Sequence, residues 1–332
     1  MMHFLKKIIN QPLYILIFFL LFSLKSNAQD LLENLEKEYN TTKLNDPKRF
    51  EIAAKYSQAL YYNNKTKLAE KILNENIELS KKNVDGKNTA FLYCVLAINY
   101  KIQNNITESK KNFELAKKYG QRTNDSETLG YVSYSEGWLF SRNDQGVKAV
   151  ESFLNAIKYY EKSAPSTNLN TRKSTVYKEL ATIYSAWNEY ELQEKYSKKS
   201  LEHALLQKNP NIVFASHMSM GYMYEQQFLN NRNNFAIRDL AEKHYLEAIN
   251  FYYKNPEIDV SNLSFAANNL ANLYMQSFPE NYSEKALEYA HLANKTALEI
   301  GELNHIASSY GLLSDIALNK KDYNGAKNHL LN

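Results

Sequence analysis

The side chains best suited to nucleophilic or metal chemistry are few in this 332-residue chain: one cysteine and seven histidines. Cys94 lies in an apolar stretch, has no second cysteine to pair with, and reads as packing. The histidines, at 3, 203, 217, 244, 291, 305 and 329, show none of the H-E-x-x-H type of spacing that places two ligands on one helix face. No G-x-S-x-G elbow, phosphate loop or dinucleotide fingerprint occurs, and the nine glycines are scattered singly. Carboxylates are plentiful, but none stands apart from ordinary solvated helix charge. The chain is therefore read as a non-enzyme, with no cofactor and no metal.

What does recur is a small residue beside a large apolar one. Tyr93-x-x-Leu96-Ala97-x-x-Tyr100 returns as Tyr177-x-x-Leu180-Ala181-x-x-Tyr184, His217-x-x-Met220-Gly221-x-x-Tyr224 and Ala267-x-x-Leu270-Ala271-x-x-Tyr274. The small residue is Ser57, Ala97, Gly137, Ala181, Gly221, Ala271 and Ser314 in turn. A second one follows downstream: Ala69, Ser109, Ala149, Gln193, Ala241, Ala286 and Ala326, of which only Gln193 is large. Two antiparallel helices approach to about 8–10 Å only where the side chains at their crossing are small. Large residues such as Tyr100, Phe140, Tyr184, Tyr224 and Tyr274 then fill the space between neighbouring pairs, which accounts for many of the 26 tyrosines.

These residues resemble the tetratricopeptide repeat family, whose pattern runs W-x2-L-G-x2-Y and then A, F or Y, and A. The resemblance covers residues 46–332. Tyr, His, Ala or Ser stands in place of the tryptophan, and the units are longer than the usual ~34 residues, like the long-repeat variety in bacterial sensors and regulators. It implies an all-α, TPR-like solenoid of about seven helix-turn-helix units wound as a right-handed superhelix. Two units carry extra residues, at Gln226–Asn234 and at Phe278–Asn281, and in a solenoid these are expected on the turns.

In that family the first helices line a concave groove. Helical spacing from each small residue places Tyr134, Trp138 and Arg142 there, then Lys178, Thr182 and Ala186. Met218, Tyr222 and Gln226 follow, then Asn268, Asn272 and Gln276. The last three form an amide ladder able to donate to and accept from a peptide backbone. The aromatic rings offer flat apolar contact, and Arg142 and Lys178 suit a carboxylate. The implied partner is a peptide or protein segment.

Residues 1–28 read as a secretory signal peptide: Lys6 and Lys7, the apolar run 13–22, then Ser26-Asn27-Ala28 as a cleavage site. An uncleaved anchor is the alternative. Residues 29–45 read as a helical lead-in. Removing 1–28 takes away Lys6, Lys7 and Lys25 and no acid, so the formal charge of +4 falls to +1. No basic stripe points to nucleic acid. The next small residue would fall beyond Asn332, so the last unit reads as incomplete. The expectation is the exported, periplasmic sensor portion of a membrane-anchored signalling or transcriptional regulator whose output region lies further on. A free-standing periplasmic or secreted scaffold is the alternative. Membrane contact would come only through a later helix or an uncleaved signal, and oligomeric state stays open.

Overall fold

A computed structural model describes residues 32–331 apart from 47, 208, 257, 259, 278–281 and 302. The expected signal peptide and the second insertion, Phe278–Asn281, lie outside the described residues. Among those described there are helices and no strand: α1 (32–41), α2 (Arg49–Tyr62), α3 (Thr66–Lys82), α4 (Gly86–Ile102), α5 (Ile106–Thr123), α6 (Ser126–Ser141), α7 (Gly146–Glu161) and α8 (Leu169–Ala186). They continue as α9 (Tyr190–Gln207), α10 (Pro210–Asn230), α11 (Phe235–Lys254), α12 (Val260–Ser277), α13 (Tyr282–Ile300), α14 (Leu303–Asn319) and α15 (Tyr323–Leu331). The chain forms two compact units, divided between Ile183 and Tyr184 near the end of α8.

One turn, used repeatedly, makes the hairpins. Near the end of a helix an N–H reaches back five residues to a carbonyl: Lys65 to Leu60 at 2.9 Å, Asp85 to Ser80 and Asn105 to Tyr100 at 2.8 Å, and Gln145 to Phe140 at 3.0 Å. Glu189 to Tyr184 and Asp322 to Ala317 repeat it at 2.9 Å. The residue just before the donor is left-handed each time: Asn64, Val84, Asn104, Asp144, Asn188 and Lys321, with φ between 56° and 61°. This is the closure that satisfies orphan carbonyls at a helix end, and among residues other than glycine Asn and Asp tolerate it best. Asp85 and Asn105 then cap the following helix, accepting from the backbone of Asn88 at 3.1 Å and Glu108 at 3.2 Å.

In the first unit α1 packs on α2 and α3 through Leu32, Tyr39, Ile52, Tyr56 and Ile72, so the lead-in covers the end of the array. Arg49 fastens it, donating to the carbonyls of Tyr39 at 2.7 Å and Thr42 at 2.8 Å, with its guanidinium 3.9 Å from the centre of the Tyr39 ring. The pairs α2/α3, α4/α5 and α6/α7 cross where expected. Ala97 and Ala149 are fully buried, and Ser109 Oγ donates to the Ala97 carbonyl across the crossing at 2.8 Å.

In the second unit α10/α11, α12/α13 and α14/α15 repeat the arrangement around one core containing Phe214, Tyr245, Leu270, Tyr274 and Leu312. Tyr184 stacks on Tyr196 of α9 at 5.4 Å. Gly221, Ala241, Ala271 and Ala286 sit at the crossings. The first insertion departs from expectation. Gln226–Asn234 is not a longer turn, because α10 runs on to Asn230 and α11 begins at Phe235. The physical reason is burial at helical spacing. Glu225 and Phe228 continue the inner face begun by Tyr224, and Phe235 packs on Phe228 at 6.3 Å. Leu330 and Leu331 of α15 are exposed.

Candidate binding face

α6 and its C-cap carry three of the expected groove residues: Tyr134 and Trp138 on the helix and Arg142 just after it. Its N-cap is Asp125, whose carboxylate accepts from the Thr128 backbone at 2.9 Å and from Lys87 Nζ at 2.6 Å. From there Tyr131, Tyr134, Trp138 and Arg142 follow at helical spacing. Phe91 of α4 meets Tyr131 at 5.0 Å, Tyr131 meets Tyr134 at 6.0 Å, and Tyr134 meets Phe153 at 5.9 Å. Burial pushes the Tyr131 and Tyr134 phenols above their ordinary range, so both stay neutral hydrogen-bonding groups. The Arg142 guanidinium lies 5.2 Å over the Trp138 ring. Trp138 is half-buried and Arg142 exposed, a flat apolar plate with a cation on it. Lys178 and Thr182, on the next first helix, are also exposed, and Thr182 Oγ1 donates to the Lys178 carbonyl at 3.0 Å.

Beside this stripe is a cavity of about 230 Å³ lined from four first helices by Glu51, Lys87, Phe91, Asp125, Glu127, Tyr131 and Arg172. Arg172 pairs with Glu127 at 3.0 Å and its guanidinium sits 5.2 Å from the Tyr131 ring centre. Spacing from the small residue did not place Arg172 in the groove. It lies nine residues before Ala181, beyond the three positions considered.

In the second unit the expected residues divide. Tyr222 is 56% exposed, and Asn268 and Asn272 are half-buried with Gln276 exposed, so the amide ladder is accessible. Ser308 Oγ donates to Asn268 Oδ1 at 3.3 Å, which leaves Asn272 as the less committed amide. Met218 is a correction. It is buried in the core of this unit rather than open to a ligand, because it lies on the face of α10 that carries Phe214 four residues earlier and Gly221 three later. An unbranched thioether fills such a gap readily.

Among the described residues one group brings metal-type donor atoms together: His217, His244 and Glu247. Linear spacing hid it, since His217 and His244 are 27 residues apart on different helices. The visible signal was His244-x-x-Glu247, one turn apart on α11.

Helical hairpins closed by one repeated turn, with small residues at the crossings described and aromatic side chains along α6, define a tetratricopeptide-type solenoid. That is the fold of this chain. No protein-family model matches it. The transcriptional activator NprA of Geobacillus stearothermophilus is 24% identical over 182 residues, 54% of this chain and 42% of that protein. The chain thus spans under half the length of the curated relative it matches. A signal-transduction ATPase with a tetratricopeptide repeat sensor from Pyrococcus horikoshii superposes with a TM-score of 0.62 at 16% identity, over 86% of this chain and 43% of that one. The apo quorum sensor NprR of B. thuringiensis superposes with 0.54 at 14% identity, over 94% and 86%. At these identities the likeness establishes the fold.

Proposed function

We propose that this chain is the ligand-recognising part of a regulator, binding a peptide or protein segment along its first helices. The observation that carries the reading is the α6 stripe: Tyr134, Trp138 and Arg142 beside the Arg172 cavity. Rigid aromatic plates with a stacked guanidinium are what interfaces use as anchors. The exposed cations Arg142 and Lys178 fit an acidic side chain or a terminal carboxylate near an apolar one. The names of similar proteins agree in kind: a transcriptional activator, a repeat sensor on a signalling ATPase, and a quorum sensor. The chain is exported by residues 1–28, senses outside the cytoplasm, and passes occupancy to an output region of the same regulator. Among the described residues no helix is long and apolar enough to cross a membrane.

The test is panning of a random peptide display library on the purified chain, with Trp138→Ala in parallel. Enriched peptides should pair an aromatic or long apolar residue with an acid or a C-terminus, and should bind Trp138→Ala at least about tenfold more weakly. The same peptides enriched equally on both proteins would sink the reading. Export is checked separately by mass spectrometry of the protein from its host, where the mature chain should begin at Gln29.

A further inference from the structure

We propose that His217, His244 and Glu247 form a binding site for a divalent transition-metal ion of the zinc class. His217 and His244 point their Nδ1 atoms at each other across the α10/α11 crossing, 3.1 Å apart. Glu247 Oε2 lies 3.0 Å from the first and 3.4 Å from the second. Donor atoms at ~2.0–2.1 Å from a tetrahedral ion stand about 3.3 Å from one another. The three separations scatter around that edge length, so the side chains already outline one face of the tetrahedron.

The fold makes this arrangement. His217 stands four residues before Gly221, where a β-carbon would meet the Tyr245 ring at 2.6 Å. The two helices are thus at close approach where the imidazoles face each other. His244 and Glu247 are one turn apart on α11 and share its face. The rings are held: the His217 and His244 side chains are only 12% and 10% exposed. Tyr224 stacks on His244 at 5.7 Å, and its hydroxyl donates to Glu194 Oε1 at 3.0 Å.

Protons alone leave this cluster poorly satisfied. With one Nδ1–H among the two rings, one donor faces two acceptors, and a nitrogen lone pair is left beside a carboxylate oxygen. With two, Glu247 Oε2 can accept both, but the hydrogens then face each other between nitrogens only 3.1 Å apart. A cation between the three atoms satisfies all of them. Both imidazoles are buried, which favours the neutral form whose nitrogen lone pair can bind an ion. Lys243 Nζ sits 3.9 Å from Glu247 Oε1, the oxygen turned away from the rings. Two imidazoles favour zinc, copper, nickel or cobalt over magnesium or calcium. Three protein donors leave a fourth position, on the side where Glu247 is 39% exposed, for water or a partner's side chain.

The experiment uses the purified chain, free of any histidine tag and stripped with a chelator. It is titrated with Zn²⁺ by calorimetry, with Co²⁺ by visible absorption, and melted with and without Zn²⁺. The expected result is one ion per chain, tetrahedral-type Co²⁺ bands, and a melting temperature raised by Zn²⁺. Glu247→Gln should weaken binding about 10–100-fold, and His217→Ala should abolish the bands. Glu247→Gln changes a partly exposed group and keeps its size, so it remains informative if His217→Ala folds poorly. Zn²⁺ bound by Glu247→Gln as by the parent places the ion elsewhere and overturns the proposal, as does the absence of stoichiometric binding to the parent.

Discussion

Gly137 and Phe153 meet so closely that a β-carbon on Gly137 would lie 2.6 Å from the ring's Cδ1 and 3.1 Å from the Ala149 carbonyl oxygen. The helix α6 can therefore rest on α7 only with no side chain there. Gly137→Ala gains up to ~1 kcal/mol of helix propensity but should lose about 1–3 kcal/mol to overpacking. Gly221→Ala, aimed at Tyr245, should behave alike. Gly311→Ala is the control. Nothing lies within 4 Å of its added carbon, so it should stabilise by ~0.5–1 kcal/mol. Denaturant melts of the three variants decide it. Equal stability of Gly137→Ala and the parent would remove the case for a tight crossing.

The same crossings show what was legible in the sequence. Glycine, alanine and serine at fixed steps can be read directly, because close approach favours small side chains, with Gln193 the one departure. The turn itself was not read from the sequence, since its left-handed residue is Asn or Asp in four cases but Val84 and Lys321 in the others. What could not be read depends on pairs from different helices. Met218 and Tyr222 are four residues apart on α10, yet one is buried and the other open, since a four-residue step turns about 40° around the helix and carries Tyr222 off the face that packs. Gln226–Asn234 was expected on a turn because solenoid insertions fall there, but Phe228, four residues after Tyr224, carries the buried face of α10 onward. His217 gave no metal signal because its partners sit on another helix.

Asp125 ties the start of α6 to α4. Burial alone would raise its carboxyl, but the bonds from Lys87 and Thr128 outweigh this and hold it below the ordinary value of 3.8. The folded state thus binds its proton less readily than the unfolded chain. Its contribution is fully present above pH 3.8 and is lost as pH falls through the lowered value. Asp125→Ala should cost about 0.5–2 kcal/mol at neutral pH, Asp125→Asn less, since it keeps a capping oxygen. The gap between parent and variants should close in acid. A pH-independent gap in melting temperature would mean the carboxylate charge contributes nothing.

Cys94 is fully buried, and that burial pushes its thiol up to about 12, with a weaker opposing bond from Ser135. A thiol so placed is neutral and shielded. A thiol-reactive dye should label it only in denaturant, with native labelling no faster than unfolding allows. Prompt stoichiometric labelling of the native chain would show that α4 opens readily.

The binding face makes the last demand. With a peptide in hand from library selection, Trp138→Ala should cost about 1.4 kcal/mol or more, because it removes the plate on which Arg142 rests. Asn272→Ala should weaken binding by ~1 kcal/mol where the ligand's backbone runs over α12. Asn268→Ala should do the same, but it also breaks the bond from Ser308, so its loss mixes binding with local structure. Asn272 is the cleaner probe. All three residues are at least partly accessible, so helicity by circular dichroism should stay at the parent level. Calorimetric titrations on the same samples separate the cases. Loss with Trp138→Ala alone confines the ligand to the first unit. Unchanged affinity across all three variants would move the site off the first-helix face.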